Sequence, residues 1–302
     1  MPVSRPRLLL SLAAGVVAIS FAAVLIRLAQ AEGVPPLAIA AWRLLFASLV
    51  LVPYACGTRG AELARLSRRE MGLLAAAGGF LALHFAAWIA SLGLTSVASS
   101  VVLVTMGPLF VGLGSWLFLG ERPTPPLALG IAVAVAGSLL ISWGDLGKGR
   151  GQLVGDLLAL SGAVMMAGYL MIGRRLRSRR SLAAYTAPVY AVAALALVAM
   201  AVLAGQPLLG HSATAYAYML ALGLLPQLVG HSALNWALRH LSATYVAIVT
   251  LAEPIGASLL AYLFLGEMVS AHTALGGALI LSGIYVASRT ELKPQMNTDK
   301  HR

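Results

Sequence analysis

Long apolar stretches follow one another along nearly the whole chain, and the short connections between them hold most of the charged residues. A helix that crosses the hydrocarbon core of a bilayer needs about 20 mostly apolar residues. The pattern therefore predicts an all-α integral membrane protein with ten transmembrane helices. The predicted spans are Leu8–Gln30, Pro36–Cys56, Met71–Gly93, Val97–Leu119, Pro125–Trp143, Leu153–Gly173, Leu182–Ala204, Tyr216–Leu238, Thr244–Leu265 and His272–Ser288.

Composition agrees with lipid as the main solvent and limits the possible chemistry. Hydrophobic residues make up 60% of the 302 residues and charged residues 10%, where a soluble domain has about 25% charged residues. The longest internal connection, Gly57–Glu70, is too short for a soluble catalytic domain. Phosphate-loop, H-E-x-x-H and G-x-S-x-G motifs are absent, and Cys56 is the only cysteine. We therefore expect no enzyme, no catalytic residues, no cofactor and no metal site.

Positive charges are concentrated on alternate connections. With the N-terminus placed in the cytoplasm, 17 of the 21 Lys and Arg lie on the cytoplasmic side, against Lys148 and Arg150 outside and Arg27 and Arg43 within spans. The cytoplasmic set is Arg5, Arg7, Arg59, Arg65, Arg68, Arg69, Arg122, Arg174, Arg175, Arg177, Arg179, Arg180, Arg239, Arg289, Lys293, Lys300 and Arg302. Because Lys and Arg favour cytoplasmic loops, both termini are predicted to be cytoplasmic, with 289–302 as a tail.

The basic runs and the first helix have simple interpretations. Arg65–Arg69 and Arg174–Arg180 are orientation signals that also suit contact with anionic lipid head groups, so no nucleic-acid partner is expected. The apolar run Leu8–Ile26 is longer than the 7–15 residues of a signal-peptide core. We therefore expect the first helix to remain uncleaved.

A repeat relates the two halves of the sequence. Phe118-Leu119-Gly120-Glu121 recurs as Phe264-Leu265-Gly266-Glu267 at an offset of 146 residues. The same offset pairs Pro108 with Pro254, Gly130 with Gly276 and Gly137 with Gly283. Matches that extend over two helices and their turn predict a duplicated five-helix unit, residues 8–143 and 153–288.

An odd number of helices per unit has a topological consequence. Two tandem copies must cross the membrane in opposite orientations, which is the inverted-repeat architecture of many secondary transporters. In such proteins the substrate site lies near the bilayer midplane between the repeats. The sequence therefore predicts alternating access around a central cavity that takes a small molecule.

These residues resemble the drug/metabolite transporter superfamily, EamA family. The matching segments are Met106-Gly107-Pro108 through Leu119-Gly120-Glu121, and Ala252-Glu253-Pro254 through Leu265-Gly266-Glu267, each followed by a Gly-rich helix. Within the superfamily the chain is most similar to YddG-type exporters of aromatic and other amino acids. The resemblance implies export of small metabolites, namely aromatic and other uncharged amino acids, across the bacterial inner (plasma) membrane without ATP hydrolysis. Gly107 departs from the repeat symmetry, because Glu253 occupies that place in the second repeat.

Polar and aromatic residues at helical spacing suggest the cavity wall. His84 and Trp88 on the third helix share one face, as do His231 and Asn235 on the eighth, its repeat partner. The His84–Trp88 face could stack an aromatic side chain or hold an ammonium group by cation–π attraction. Further candidates are residues on the fourth, sixth and ninth helices, where packing or backbone hydrogen bonding is the alternative role: Ser100, Thr105, Met165, Tyr169 and Tyr245.

Two prolines close to the middle of their helices predict hinges. Each proline leaves the carbonyl four residues earlier without its N–H partner. Pro108 and Pro254 thus free the carbonyls of Val104 and Thr250, which hydrocarbon tolerates only beside protein or a water-lined cavity. The sequence predicts a hinge at Gly107, Pro108 and Pro254, with a static kink as the alternative.

Two charged residues lie well inside predicted spans. Glu253 is either a proton carrier or a structural hydrogen-bonding group at the break of its helix. For Arg43 we expect snorkelling to the outer interface or a structural pair, with a carboxylate partner as the functional alternative.

Two other functions stay open at this stage. An exporter of cationic lipophiles would need an unpaired cavity carboxylate, for which Glu253 is the candidate. A lipid-modifying intramembrane enzyme would need clustered polar residues at one membrane surface, and the nearest such group is His231, Arg239 and His240.

Overall fold

The computed structural model describes residues 4–119, 124–143, 150–266 and 271–291, and within these ranges the chain is helical without strands. The α-helices, in chain order from α1 to α13, are Arg5–Ala31, Pro36–Ala64, Arg68–Ser91, Val97–Val104, Gly107–Gly114, Pro125–Trp143, Arg150–Arg177, Leu182–Leu203, Ala213–Leu222, Ser232–Ala237, Ala243–Thr250, Glu253–Leu265 and Ala271–Glu291. Two π-helical segments, Ser115–Leu119 and Gly223–His231, continue α5 and α9. The predicted all-α class is confirmed.

Each predicted span falls on helical backbone. In the described ranges, eight helices or joined helices are long and apolar enough to cross a membrane, and two shorter apolar helices cover Pro125–Gly137 and Ala274–Ala287. The carboxyl ends of the repeated motifs, Glu121 and Glu267, lie outside the described residues, as does Lys148. Of the predicted tail 289–302, the first part continues α13 to Glu291, and 292–302 lies outside the described residues.

Serine caps start several of these helices. The Ser67 hydroxyl accepts a hydrogen bond from the backbone N–H of Glu70, and the Glu70 carboxylate accepts one from the backbone N–H of Ser67. This capping box satisfies two backbone donors that the first turn of α3 leaves free. Serines also cap α4, α8, α9 and α11: Ser96, Ser181, Ser212 and Ser242.

The fourth and ninth predicted spans are both broken near their middle. In the first repeat α4 ends at Val104 and α5 begins at Gly107, and in the second α11 ends at Thr250 and α12 begins at Glu253. Pro108 and Pro254 lie in the first turn of the new helix, where a missing N–H breaks no intrahelical bond. The sequence placed them within continuous helices; the structure instead starts a second helix at each proline.

Polar contacts join neighbouring helices at both ends of the bundle. At one end, the Arg180 guanidinium donates two hydrogen bonds of 2.7 and 2.8 Å to Glu70, joining α3 to the start of α8. Nearby, the buried Arg177 Nε donates to the carbonyl of Asn235, 2.9 Å away. At the other end, Arg27 donates to the carbonyl of Leu92 at 2.8 Å. These contacts tie neighbouring helices together above and below the core.

Helices α6 and α13 pack against each other through glycines. A Cβ atom added at Gly130 would lie 2.6 Å from the carbonyl oxygen of Gly283, and one at Gly137 would lie 2.5 Å from that of Gly276. These separations are too short for any side chain larger than hydrogen. Close backbone approach at small residues is how helices associate in lipid, where the hydrophobic effect does not drive them together.

Gly137→Val is therefore expected to force α6 and α13 apart and lower the free energy of unfolding by about 1–3 kcal/mol, the usual size of an overpacking penalty. Gly72→Val is the matched control, because a Cβ at Gly72 meets nothing within 4 Å. The measurement is the midpoint of thermal unfolding in detergent. Equal midpoints for the two variants would contradict the tight glycine contact.

Candidate substrate cavity

A buried cavity lies where the broken helices of the two repeats meet. About 40 Å³ of it is open to a molecule the size of water, which is room for a few water molecules. Most of its wall is apolar. The lining residues come from both halves of the chain: Ile19, Ala22, Arg43, His84, Trp88, Val104, Thr105, Gly107, Met166, Tyr169, Leu170, His231, Leu234, Ala247, Thr250 and Glu253.

Half of the residues selected from the sequence are brought together in this lining. They belong to the third, fourth, sixth and ninth predicted spans and include one of the proposed hinge positions: His84, Trp88, Thr105, Gly107, Tyr169 and Glu253. Val104 and Thr250, whose carbonyls the prolines were predicted to free, line the cavity as well. The last residue before each helix break therefore lies in the cavity wall.

Other selected residues lie behind the wall. The hydroxyl oxygens of Ser100 and Ser91 are hydrogen-bonded at 2.6 Å, which joins α4 to α3. Met165 is half-buried beside the lining residue Met166. Tyr245 is buried in the core but does not line this cavity. Pro108 and Pro254 are buried next to lining residues rather than among them.

His84 and Trp88 form one aromatic wall. Their ring centroids are 5.9 Å apart and the ring planes meet at 25°, a stacked arrangement that matches the predicted shared face. The Nδ1–H of His84 donates to the carbonyl of Gly162 at 2.9 Å, which fixes the ring against α7. The Nε1–H of Trp88 is buried and has no hydrogen-bond partner among the described residues.

A tyrosine–asparagine contact supports the opposite part of the wall. The Asn235 amide nitrogen donates to the Tyr169 hydroxyl and, at 2.8 Å, to the carbonyl of His231. Asn235 therefore does not face the cavity; it holds Tyr169, which does. The π-helical segment that ends at His231 shifts the register of the eighth predicted span just before Asn235.

Arg43 is the functional candidate that the sequence analysis undervalued. Its side chain is fully buried and lines the cavity, so the expectation of snorkelling to the interface is wrong. The guanidinium Nε donates to Gln227 Oε1 at 2.9 Å, and the guanidinium carbon lies 4.0 Å from the centroid of the Phe85 ring. Glu253 lies in the same lining. The position of Arg43 in the sequence could have indicated this role, since Arg43 and Glu253 are the charged residues deepest in the predicted spans.

His231 also lines the cavity, although the sequence left open a place near the inner surface. It is buried, and its ring packs edge-on against Phe85 with centroids 5.4 Å apart. Arg239 and His240 are exposed beyond the end of α10, where His240 packs on Trp236. The three residues considered for an enzyme site are therefore not together.

Comparison with known proteins identifies the relatives of the chain. The EamA-like transporter family matches it twice, over residues 7–143 and 153–289. An uncharacterized transporter, YdfC, of Bacillus subtilis (strain 168) is 25% identical over 84% of this chain and 82% of its own length. All the fold elements described above lie inside the two matched segments or at their edges.

Two relatives are named as exporters. The pseudopaline exporter CntI of Pseudomonas aeruginosa is 28% identical over 75% of this chain and 78% of its own length. A probable terminal-alkyne amino-acid exporter of Streptantibioticus cattleyicolor is 28% identical over 63% of this chain and 64% of its own length. These names describe those proteins and their cargo.

A solved structure shares the fold. It superposes with a TM-score of 0.75 at 22% sequence identity and covers 96% of this chain and 99% of its own. At that identity the likeness concerns the fold alone. Because the family matches nearly the whole chain, in two copies, this integral membrane protein belongs to the EamA-like transporter family of the drug/metabolite transporter superfamily.

Proposed function

We propose that the protein is a secondary transporter that exports small metabolites of the amino-acid class, aromatic and other uncharged ones, by alternating access. The observation that carries this proposal is the buried cavity at which broken helices from both halves of the chain meet. A transporter needs a site that each side of the membrane can reach in turn, and such a site lies between the two repeats. The two relatives named as exporters support outward transport.

The proposed topology has ten spans in two inverted five-helix repeats, residues 8–143 and 153–288, in the bacterial inner membrane. Two family matches of equal length and helix breaks at the same offset of 146 residues support the duplication. The distribution of Lys and Arg supports cytoplasmic termini. The contact between Glu70 and Arg180 would then close the cytoplasmic end, and the contact between Arg27 and Leu92 the outer end.

The substrate cavity is proposed to bind the solute through its aromatic and polar lining. Trp88 and His84 offer a flat surface for an aromatic or branched side chain, while Tyr169 and Met166 supply adaptable apolar contacts. Ser100, Met165, Asn235 and Tyr245 act from behind this lining by holding its helices. In the present conformation the open space suits only a few water molecules, so an amino acid enters after the walls separate.

The hinge is proposed to lie at the two helix breaks. Residues on either side of a break can change direction without breaking a continuous ladder of helical hydrogen bonds. The breaks that directly precede Gly107–Pro108 and Glu253–Pro254 occupy equivalent places in the two repeats. Opposite bending at these places would open one end of the cavity while closing the other.

Export of cationic lipophiles is the second candidate, because Glu253 does line the cavity. A carboxylate in an aromatic cavity attracts an organic cation. Arg43 in the same lining weakens that attraction, and this favours a solute carrying both charges over a simple cation.

Counterflow in proteoliposomes tests the proposed function. Purified protein with trapped unlabelled amino acids is expected to accumulate labelled uncharged amino acids, and Trp88→Ala is expected to slow accumulation up to about tenfold. The size follows from the 0.5–1.5 kcal/mol of an aromatic contact. Trp116→Ala is the matched control, since Trp116 is 49% exposed on the outer surface of the bundle and should transport normally.

The same assay separates the alternatives. Accumulation of lipophilic cations without any amino acid would replace the amino-acid proposal by the second candidate. Failure to accumulate either class, with or without a pH gradient, would contradict secondary transport of both. An equal loss in Trp88→Ala and Trp116→Ala would show that the cavity wall is not the site.

Cysteine labelling tests the proposed orientation. In a Cys56→Ala background, Ala31→Cys places a single exposed thiol at the last residue of α1, and Ala64→Cys places one at the last residue of α2. In the proposed topology these two positions lie on opposite sides of the membrane. A membrane-impermeant maleimide added to intact spheroplasts is expected to label Ala31→Cys only, and inside-out vesicles should reverse the result. Labelling of Ala64→Cys from outside would overturn the cytoplasmic placement of the N-terminus.

A further inference from the structure

Arg43 is a buried cation whose hydrogen bonds are incomplete. The side chain is fully buried, its Nε donates to Gln227, and its flat face rests on the Phe85 ring. The two terminal nitrogens, Nη1 and Nη2, have no hydrogen-bond partner among the described residues. A buried charged donor without a partner is strongly unfavourable, so this edge of the guanidinium needs an acceptor.

The surroundings hold the guanidinium in one orientation. Gln227 fixes the Nε edge, and Phe85 occupies one face, as expected for an arginine stacked on an aromatic ring. What remains free is the edge carrying Nη1 and Nη2, on a side chain that lines the cavity. This pair of parallel donors matches the two oxygens of a carboxylate.

A third unpaired donor lies in the same lining. The buried Trp88 Nε1–H has no partner among the described residues. Indole nitrogen can only donate, so it also calls for an acceptor. The three buried donors without a partner in this lining thus favour a group that carries hydrogen-bond acceptors, such as a carboxylate.

Glu253 supplies a carboxyl group in the same lining. It forms no ion pair with Arg43 within the described residues. A solute with a carboxylate and an ammonium group could therefore face both charges at once. A solute with a single charge would leave one of them uncompensated.

We propose that Arg43 binds the carboxylate of the transported solute through Nη1 and Nη2, with Glu253 facing its ammonium group, so that the cavity selects zwitterionic α-amino acids. This assignment rests on the proposed function for its cargo and adds to it the group that is recognised. The aromatic wall of His84 and Trp88 is then left for the side chain of the amino acid. With this division, the site would accept amino acids with different side chains but would require the carboxylate and the ammonium group.

The test compares each amino acid with its amide. Phenylalanine, leucine, phenylalaninamide and leucinamide are titrated against purified protein in nanodiscs, with the midpoint of thermal unfolding as the binding signal. Wild type is expected to bind each acid about 10- to 100-fold more tightly than its amide, the range for hydrogen bonds to a charged group. Arg43→Gln is expected to abolish that preference while binding the amides as wild type does.

Two further variants make the test specific. Arg43→Lys keeps the charge but not the paired donors, and it should retain only part of the preference. Arg27→Gln removes an arginine that bonds the Leu92 carbonyl outside the cavity, and it should retain all of it. If Arg43→Gln does not fold, the wild-type preference and Arg43→Lys still decide the question.

The outcomes distinguish this inference from the proposed function. Equal binding of acids and amides by wild type, or an unchanged preference in Arg43→Gln, overturns the role of Arg43 even where counterflow of amino acids succeeds. A preference for the acids that requires Arg43, without counterflow, supports carboxylate binding and contradicts export. Absence of both binding and counterflow overturns the two together.

Discussion

Hydrocarbon offers no hydrogen bond to a backbone group, and this constraint determines where the chain can be irregular. Continuous helices satisfy their own backbone inside the bilayer, whereas a break must be sheltered by protein or by a cavity. Here the breaks at Pro108 and Pro254 occur at equivalent places in the two halves and lie together around one internal space. Val104 and Thr250, which precede them, line that space. The cavity is therefore a consequence of the breaks as well as their shelter.

The same constraint applies to the charged side chains in the cavity, which also need hydrogen-bond partners within the protein. Removing a guanidinium from water is expensive, and neighbouring groups repay this only when its hydrogen bonds are completed. Gln227 and Phe85 complete part of the environment of Arg43 and orient it without saturating it. Two donors of the guanidinium therefore remain without a partner. Glu253, the other ionisable residue deep in the spans, lines the same space.

Packing outside the cavity follows a different rule. Helices α6 and α13 meet at Gly130, Gly137, Gly276 and Gly283, so their backbones approach closely on a surface without charged groups. This contact joins the last helix of one half of the chain to the last helix of the other. It gives the bundle a firm element against which the broken helices could bend.

Much of the fold could be predicted from the sequence, because lipid imposes simple requirements. Runs of apolar residues indicated the helical regions that the structure describes, and the repeat paired Pro108 with Pro254, although it did not show that each helix ends before its proline. His84, Trp88, Thr105, Tyr169 and Glu253 were placed in the cavity lining by helical spacing and by position within their spans.

The direction of single side chains was harder to predict. Arg43 was expected to reach the interface because its side chain is long enough. In the structure it is instead buried, where it contacts Gln227 and Phe85. The π-helical segment Gly223–His231 ends at His231, which lies in the lining, and precedes Asn235, which lies behind it. The Ser100 hydroxyl was predicted to line the cavity, but in the structure it is hydrogen-bonded to Ser91. Such outcomes depend on neighbours from distant parts of the chain, which spacing within one helix does not reveal.

The most direct test is to locate a bound amino acid. Photo-leucine, a diazirine analogue that keeps both the carboxylate and the ammonium group, would be crosslinked to the protein in nanodiscs and the labelled residues identified by mass spectrometry. Labels are expected on cavity residues such as Trp88, Met166 and Tyr169, and an excess of leucine should abolish them. Labels confined to the outer surface of the bundle, such as Phe118 and Leu203, or unaffected by leucine, would contradict a substrate site at the broken helices.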